Sequence, residues 1–197
     1  MPPALDLPLV YFPDADAWSG WLAVHHTEPG VWLRLAKAGV PDPCLRYPAA
    51  LEVALQWGWI DGQTQSIDDR EFRRKFTPRR ARSLWSKINT EKATALIAAG
   101  RMQPPGLREV ERAKADGRWD AAYTGSRDAT VPEDLTAAFV FNPDAGAFFA
   151  TLDTANRYAV LWRLQTAKTA KARADRLARL LAMLGRRVRI HPGRGEG

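Results

Sequence analysis

The sequence predicts an α+β fold: an antiparallel sheet flanked by helices, then a helical C-terminal unit. Three observations predict it. Short runs before residue 80 alternate apolar and polar residues, as strands with one buried face do. Segments of helical periodicity with caps and glycine stops lie between and after those runs. From Pro132 onward the pattern is helical almost to the end.

The elements follow in order. Leu9 to Phe12 is a short apolar run after Pro8, read as a strand. Asp14 is a candidate N-cap for a helix over 15–26, with Trp18, Trp21, Leu22 and His25 at helical spacing. Pro29-Gly30 breaks it. Val31, Leu33 and Leu35 then alternate with Trp32 and Arg34, the mark of a strand with one buried face. Pro41 and Pro43 hold a loop around Cys44. Pro48 fits the first turn of a helix over 49–56, with Leu51, Ala54 and Leu55 inward, and Gly58 ends it. Residues 57–62 read as a strand that turns at Asp61-Gly62. Residues 63–67 and 71–77 read as two further strands around Asp68-Asp69. Ser86 is a candidate cap for a helix to Ala99, with Ala93, Leu96 and Ile97 inward and Gly100 as the stop. Pro104-Pro105-Gly106 opens a helix over 105–116.

Residues 117–131 are rich in Gly, Ser, Thr and Asp and lack periodicity, so they read as a loop or linker. Helices are expected over 132–140, 143–151, 153–166 and 169–184, the last capped by Gly185. Val188-Arg189-Ile190 is a terminal strand or an irregular segment. The resulting division is an α+β domain over 1–120, a linker over 121–131, a helical unit over 132–190 and a disordered tail over 191–197.

Composition sets the outer limits. The chain has 197 residues, 46% hydrophobic and 26% charged, ordinary proportions for a globular protein. No apolar run approaches the ~20 residues of a membrane span, and no secretory signal is evident at the start. The single cysteine, Cys44, cannot form an internal disulfide. A cytoplasmic protein is expected.

The net charge of +7 is uneven. From Arg70 to Lys87 eight cations face Glu71 alone, and from Lys168 to Arg189 eight face Asp175 alone. Each segment therefore carries +7 and the remainder −7. Such segments attract phosphate, nucleic acid or an acidic protein face. Opposed to that is a plain solvated surface rich in arginine. The negative remainder makes any nucleic-acid binding weak.

The densest chemistry lies over 57–89. Trp59, Asp61, Arg79, Arg80, Trp85, Lys87 and Asn89 are the candidate ligand-binding residues. Arginine offers planar bidentate donors, tryptophan a stacking surface, and a helix start positive dipole. Trp59 and Trp85 are expected to lie together, near Arg79 or Arg80. Core tryptophans, solvated arginines and a structural Asp61 form the competing reading. An enzyme acting on a small anion, with Asp61 as base and Arg79 and Arg80 as anion holders, is a further alternative. No catalytic residue is assigned. No metal or cofactor is expected, since phosphate loop, dinucleotide fingerprint and CxxC pair are all missing.

The run ALQWGWIDGQTQSIDD, with FRRKFTPRR, LWSKINTEKATALIAAGRM and AKADGRWD after it, resembles the bacterial YdeI/OmpD-associated family of bacteriocin-protection proteins. PEDL and RYAVLWRLQTAKTAKARADRLARLL resemble that family's helical tail, with Tyr158, Trp162, Ala167 and Lys168 at its recurrent positions. The resemblance implies association with envelope proteins, or protection against bacteriocins and stress, by binding and without an established reaction. The amino-terminal half is similar to the small α+β folds grouped with YjbR and CyaY, which implies a sheet flanked by helices. It does not imply iron binding, because the segment 70–87 is basic.

Overall fold

A computed structural model describes residues 7–40 and 44–192. The expected loop prolines, Pro41 and Pro43, and the tail beyond Pro192 lie outside them. The fold is α+β, and the chain forms two compact units: Met1–Trp85 with Asn89–Ala122, and Ser86–Ile88 with Tyr123–Gly197.

The first unit is built on a four-stranded sheet of order β1-β2-β4-β3. The strands are β1 (Leu9–Val10), β2 (Val31–Ala36), β3 (Trp59–Ser66) and β4 (Glu71–Pro78). β1 runs parallel to β2, and the β2–β4 and β4–β3 pairs are antiparallel. The alternation in β2 has the expected outcome: Val31, Leu33 and Leu35 are buried, Trp32 is half-buried and Arg34 is exposed.

Helices α1 (Ala15–His25) and α2 (Tyr47–Gln56) supply the other half of this core. Asp14 caps α1 by accepting from Ala17 N at 2.8 Å, which satisfies one of the amide donors that a helix start leaves free. Trp18, Leu22, Val31, Leu33, Leu35, Ala50, Ala54, Trp59 and Phe76 form one buried cluster. Fully burying side chains of this size stabilises by roughly 1.5–3 kcal/mol each.

One element differs from expectation. Asp61-Gly62 does not turn the chain, and β3 runs unbroken from Trp59 to Ser66. A register shift between Asp61 and Thr64 absorbs the glycine as an irregularity in the ladder. The turn comes at 67–70, where Asp68 Oδ1 accepts from both Arg70 N and Glu71 N at 2.8 Å. Those two amides hold the Asp68 carboxyl below its ordinary value.

Helices α3 (Lys87–Ala98) and α4 (Pro104–Ala115) follow. Leu51, Leu55, Trp85, Ala93, Leu96 and Val110 form a second buried cluster. Ile97, expected inward, is exposed. Gly100 stops α3 at φ 65°, and Arg101 N donates to Leu96 O. α4 meets α2 through Gly106, where a Cβ would lie 2.1 Å from Gln56 O. Only glycine fits that approach.

The second unit is helical: α5 (Glu133–Phe141), α6 (Pro143–Thr151), α7 (Thr154–Gln165) and α8 (Ala170–Gly185). Its core includes Leu135, Phe148, Phe149, Val160, Leu164, Leu180 and Leu184. The start of the expected linker is tied down: Thr124 N donates to Gln165 Oε1, while Gln165 Nε2 and Tyr158 Oη donate to Thr124 O. Gly185 is not the left-handed stop. That conformation falls on Arg187 at φ 58°, with Val188 N donating to Met183 O. Val188 to Ile190 forms no strand. Ile190 N and His191 N both donate to Oδ1 of the buried Asn156.

Candidate functional site

The sequence-derived site residues separate into distinct environments. Trp59 is fully buried beside Trp18 and Trp21, its indole edge-on to both, and Trp59 Nε1 donates to His26 O at 2.8 Å. It is a core residue of the sheet. Trp85 belongs to the other buried cluster of the first unit, 4.9 Å from Trp119. The Arg79 guanidinium lies 3.5 Å from the Trp85 ring centroid, and Arg79 NH1 donates to Leu84 O. Trp59 and Trp85 thus belong to different buried clusters of the first unit, and Arg79 lies against Trp85. The long apolar face of each indole takes it to whichever core layer its own strand or loop borders.

Asp61 forms a closed set of its own. Its Oδ2 lies 2.6 Å from Arg74 NH2 and accepts from Tyr47 Oη at 3.0 Å. The Arg74 guanidinium sits 4.2 Å from the Tyr47 ring centroid. Arg80 and Lys87 are exposed and Asn89 is buried. Lys87 N donates to Tyr123 O, and the start of α3 groups with the second unit.

The surface that sequence reasoning missed is the outer face of the sheet. α1 and α2 cover the face carrying Val31, Leu33, Leu35 and Phe76. The opposite face carries the alternate residues. Ladder register sets Leu9, Trp32 and Lys75 in one cross-strand row, and Arg34, Arg73 and Gln65 in the next. Arg73 lies 5.0 Å from the Trp32 ring centroid, and its Nε donates to Gln65 Oε1 at 2.8 Å. Arg34 lies 5.6 Å from the Tyr11 ring centroid, and its Nε donates to Glu71 Oε2 at 2.6 Å. Tyr11 is 46% exposed and Leu9 52%, unusual for residues beside a sheet core. The Trp32/Arg34 alternation in β2 was the signal that locates this face.

Cations of the second segment behave differently. Arg173 forms a two-pronged pair with Asp134, at 2.7 and 2.8 Å, and donates to Leu164 O at 2.8 Å. Those hydrogen bonds hold the Asp134 carboxyl below its ordinary value. Arg176 donates to Arg163 O, and Lys171 pairs with Asp175. Beside α7 lies an open groove of about 650 Å³ lined by Tyr158, Trp162, Arg163 and His191. Burial pushes the Tyr158 hydroxyl above its ordinary value.

Fold and surface together define a class: an α+β domain with a one-sided sheet whose open face is cationic and aromatic, joined to a helical unit. Residues 10–109, just over half the chain, match the model described as "Domain of unknown function (DUF8412)", and the chain belongs to that family. Residues 128–187 match the model described as "Bacteriocin-protection, YdeI or OmpD-Associated". That second match covers Tyr158, Trp162, Ala167 and Lys168. The residues 55–109 that carried much of the first resemblance fall under the other model. No curated protein and no solved structure matches the chain. Among the described residues no helix is long and apolar enough to cross a membrane.

Proposed function

We propose that the chain is a binding protein of the bacteriocin-protection kind, which recognises an anionic ligand through the outer face of its sheet and works in the cytoplasm. The observation that supports this reading is the pair of cross-strand rows that bring Arg34, Arg73 and Lys75 together with Tyr11 and Trp32. The negative faces of these rings attract the guanidinium groups. Among the described residues the Lys75 side chain has no hydrogen-bond or ion-pair partner. The match of residues 128–187 supports the family association. Asp61 fits a structural role better than that of a base, because Arg74 and Tyr47 both engage it.

Thermal melting in the presence of inorganic tripolyphosphate tests the reading. The wild-type midpoint should rise with ligand concentration, and the rise should vanish in Arg73→Glu/Lys75→Glu. A rise of equal size in that variant would remove the sheet face from the account.

A further inference from the structure

We infer that the anion recognised by the sheet face is a single-stranded nucleic acid. This rests on the binding reading above and names its ligand. Three features of the face select that chemistry over a small anion or an acidic protein surface.

The first is the pairing of rings with cations. Tyr11 is exposed and Trp32 half-buried on the outer face, whereas Trp59 and Phe76 of the same sheet are fully buried toward the helices. A small anion makes no use of the outer rings. An unpaired base stacks on such a ring while its phosphate meets a neighbouring cation. A duplex keeps its bases stacked inside and cannot offer them.

The second is repetition. The two rows are successive outward positions on the same strands, about 6.7 Å apart along the chain. A ring stands beside a cation at each row: Trp32 is in register with Lys75 and lies under Arg73, and Tyr11 lies under Arg34 at the next. A chain polymer with one phosphate and one flat base per step matches this repeat.

The third is the local charge. Among the described strand residues of this face, Glu71 is the one carboxylate, and Arg34 covers it. Arg73 and Lys75 are left for phosphate. The negative charge of the rest of the chain limits affinity, so binding is weak and salt-sensitive.

The test is fluorescence anisotropy of a labelled twelve-nucleotide oligothymidylate with the full chain. Binding should appear at 50 mM salt and weaken about 7-fold by 200 mM, the fall expected for two phosphate contacts on a single strand. Trp32→Ala should weaken it about tenfold. Lys75→Glu, which keeps an extended side chain on the strand and reverses only the charge, should weaken it by at least as much. Arg179→Ala on α8 should leave it unchanged. A duplex of the same sequence should bind less tightly than the single strand. Absence of oligonucleotide binding, tighter duplex binding, or indifference to Trp32→Ala would overturn the inference. If tripolyphosphate still binds in a Lys75-dependent way, the anion-binding reading survives that failure; if neither probe binds, both fall.

Discussion

The two basic segments carry the same charge in sequence and differ in what the fold does with it. In the second, arginine is structural. Arg173 and Arg176 close carbonyls at the end of α7, and Arg173 also grips Asp134 with two prongs. Arg179 and Arg186 donate to carbonyls of their own helix, Asp175 O and Ala182 O. In the first segment the outcome depends on strand parity. Arg74, on the face toward α2, is held by Asp61 and Tyr47. Its neighbours Arg73 and Lys75 point the other way, where only a ring, an amide and solvent meet them. A charge run therefore says little by itself about binding. On a helix, backbone carbonyls at i−4 and acidic neighbours are within reach of most arginines. On a one-sided sheet, half the positions face away from every partner the fold supplies.

This contrast can be broken by mutation. The largest effect is expected at Asp61, whose side chain is 13% exposed and whose partner Arg74 is 26% exposed. Asp61→Ala leaves a half-buried guanidinium and a tyrosine hydroxyl without their acceptor. Chemical denaturation should show a loss of about 2–3 kcal/mol. A loss below about 0.5 kcal/mol would mean that the inward cation is as loosely engaged as its outward neighbours.

Arg173→Ala comes next. The pair is about a third exposed, so solvent screens part of it, and a loss of about 1–2 kcal/mol is expected at neutral pH. The sign with pH follows from Asp134. Its folded carboxyl lies below the ordinary value, so the stabilisation is present above the unfolded carboxylate range near pH 4 and lost as pH falls through the folded value. The stability gap between wild type and Arg173→Ala should therefore shrink in melts taken progressively below pH 4. A gap that stays constant down to pH 2 would show that Arg173 acts through its bond to Leu164 O alone.

The smallest effect has the opposite sign. Arg187 holds a left-handed conformation that costs a residue with a Cβ roughly 1 kcal/mol. Its guanidinium, 5.5 Å from the Phe148 ring centroid, recovers part of that. Arg187→Gly should raise stability by about 0.5 kcal/mol, read as a small upward shift in midpoint. A clear decrease would mean that the Phe148 contact outweighs the strain.

Much of the architecture was legible because local signals and tertiary burial agree. Asp14 announced α1, Pro48 sat in the first turn of α2, and the Val31/Leu33/Leu35 alternation gave β2 and its buried face. Asp61-Gly62 misled for a physical reason. A glycine inside a strand and a glycine in a turn look alike in sequence, and the pairing of Ile60 with Thr77 and Thr64 with Arg74 across the irregularity decides between them. Gly185 misled similarly, since the helix continues through it and turns left-handed two residues later. The candidate site was only partly legible. Concentration of tryptophan and arginine over 57–89 was visible, but which indoles become core depends on strand pairing. Trp59 is inward on β3, whereas Trp32 is outward on β2 and lies outside that window. Parity within β2 and β4 located the open face better than the charge count did.

The central claim is that outward cations of the sheet, and not the more numerous cations of α8, meet an anion. Backbone amide shift mapping by NMR during titration with inorganic tripolyphosphate tests this most directly. The account predicts that the largest perturbations fall on Trp32, Arg34, Arg73 and Lys75, with Lys171 to Arg186 unmoved. Perturbations concentrated on α8, with the sheet amides silent, would contradict it.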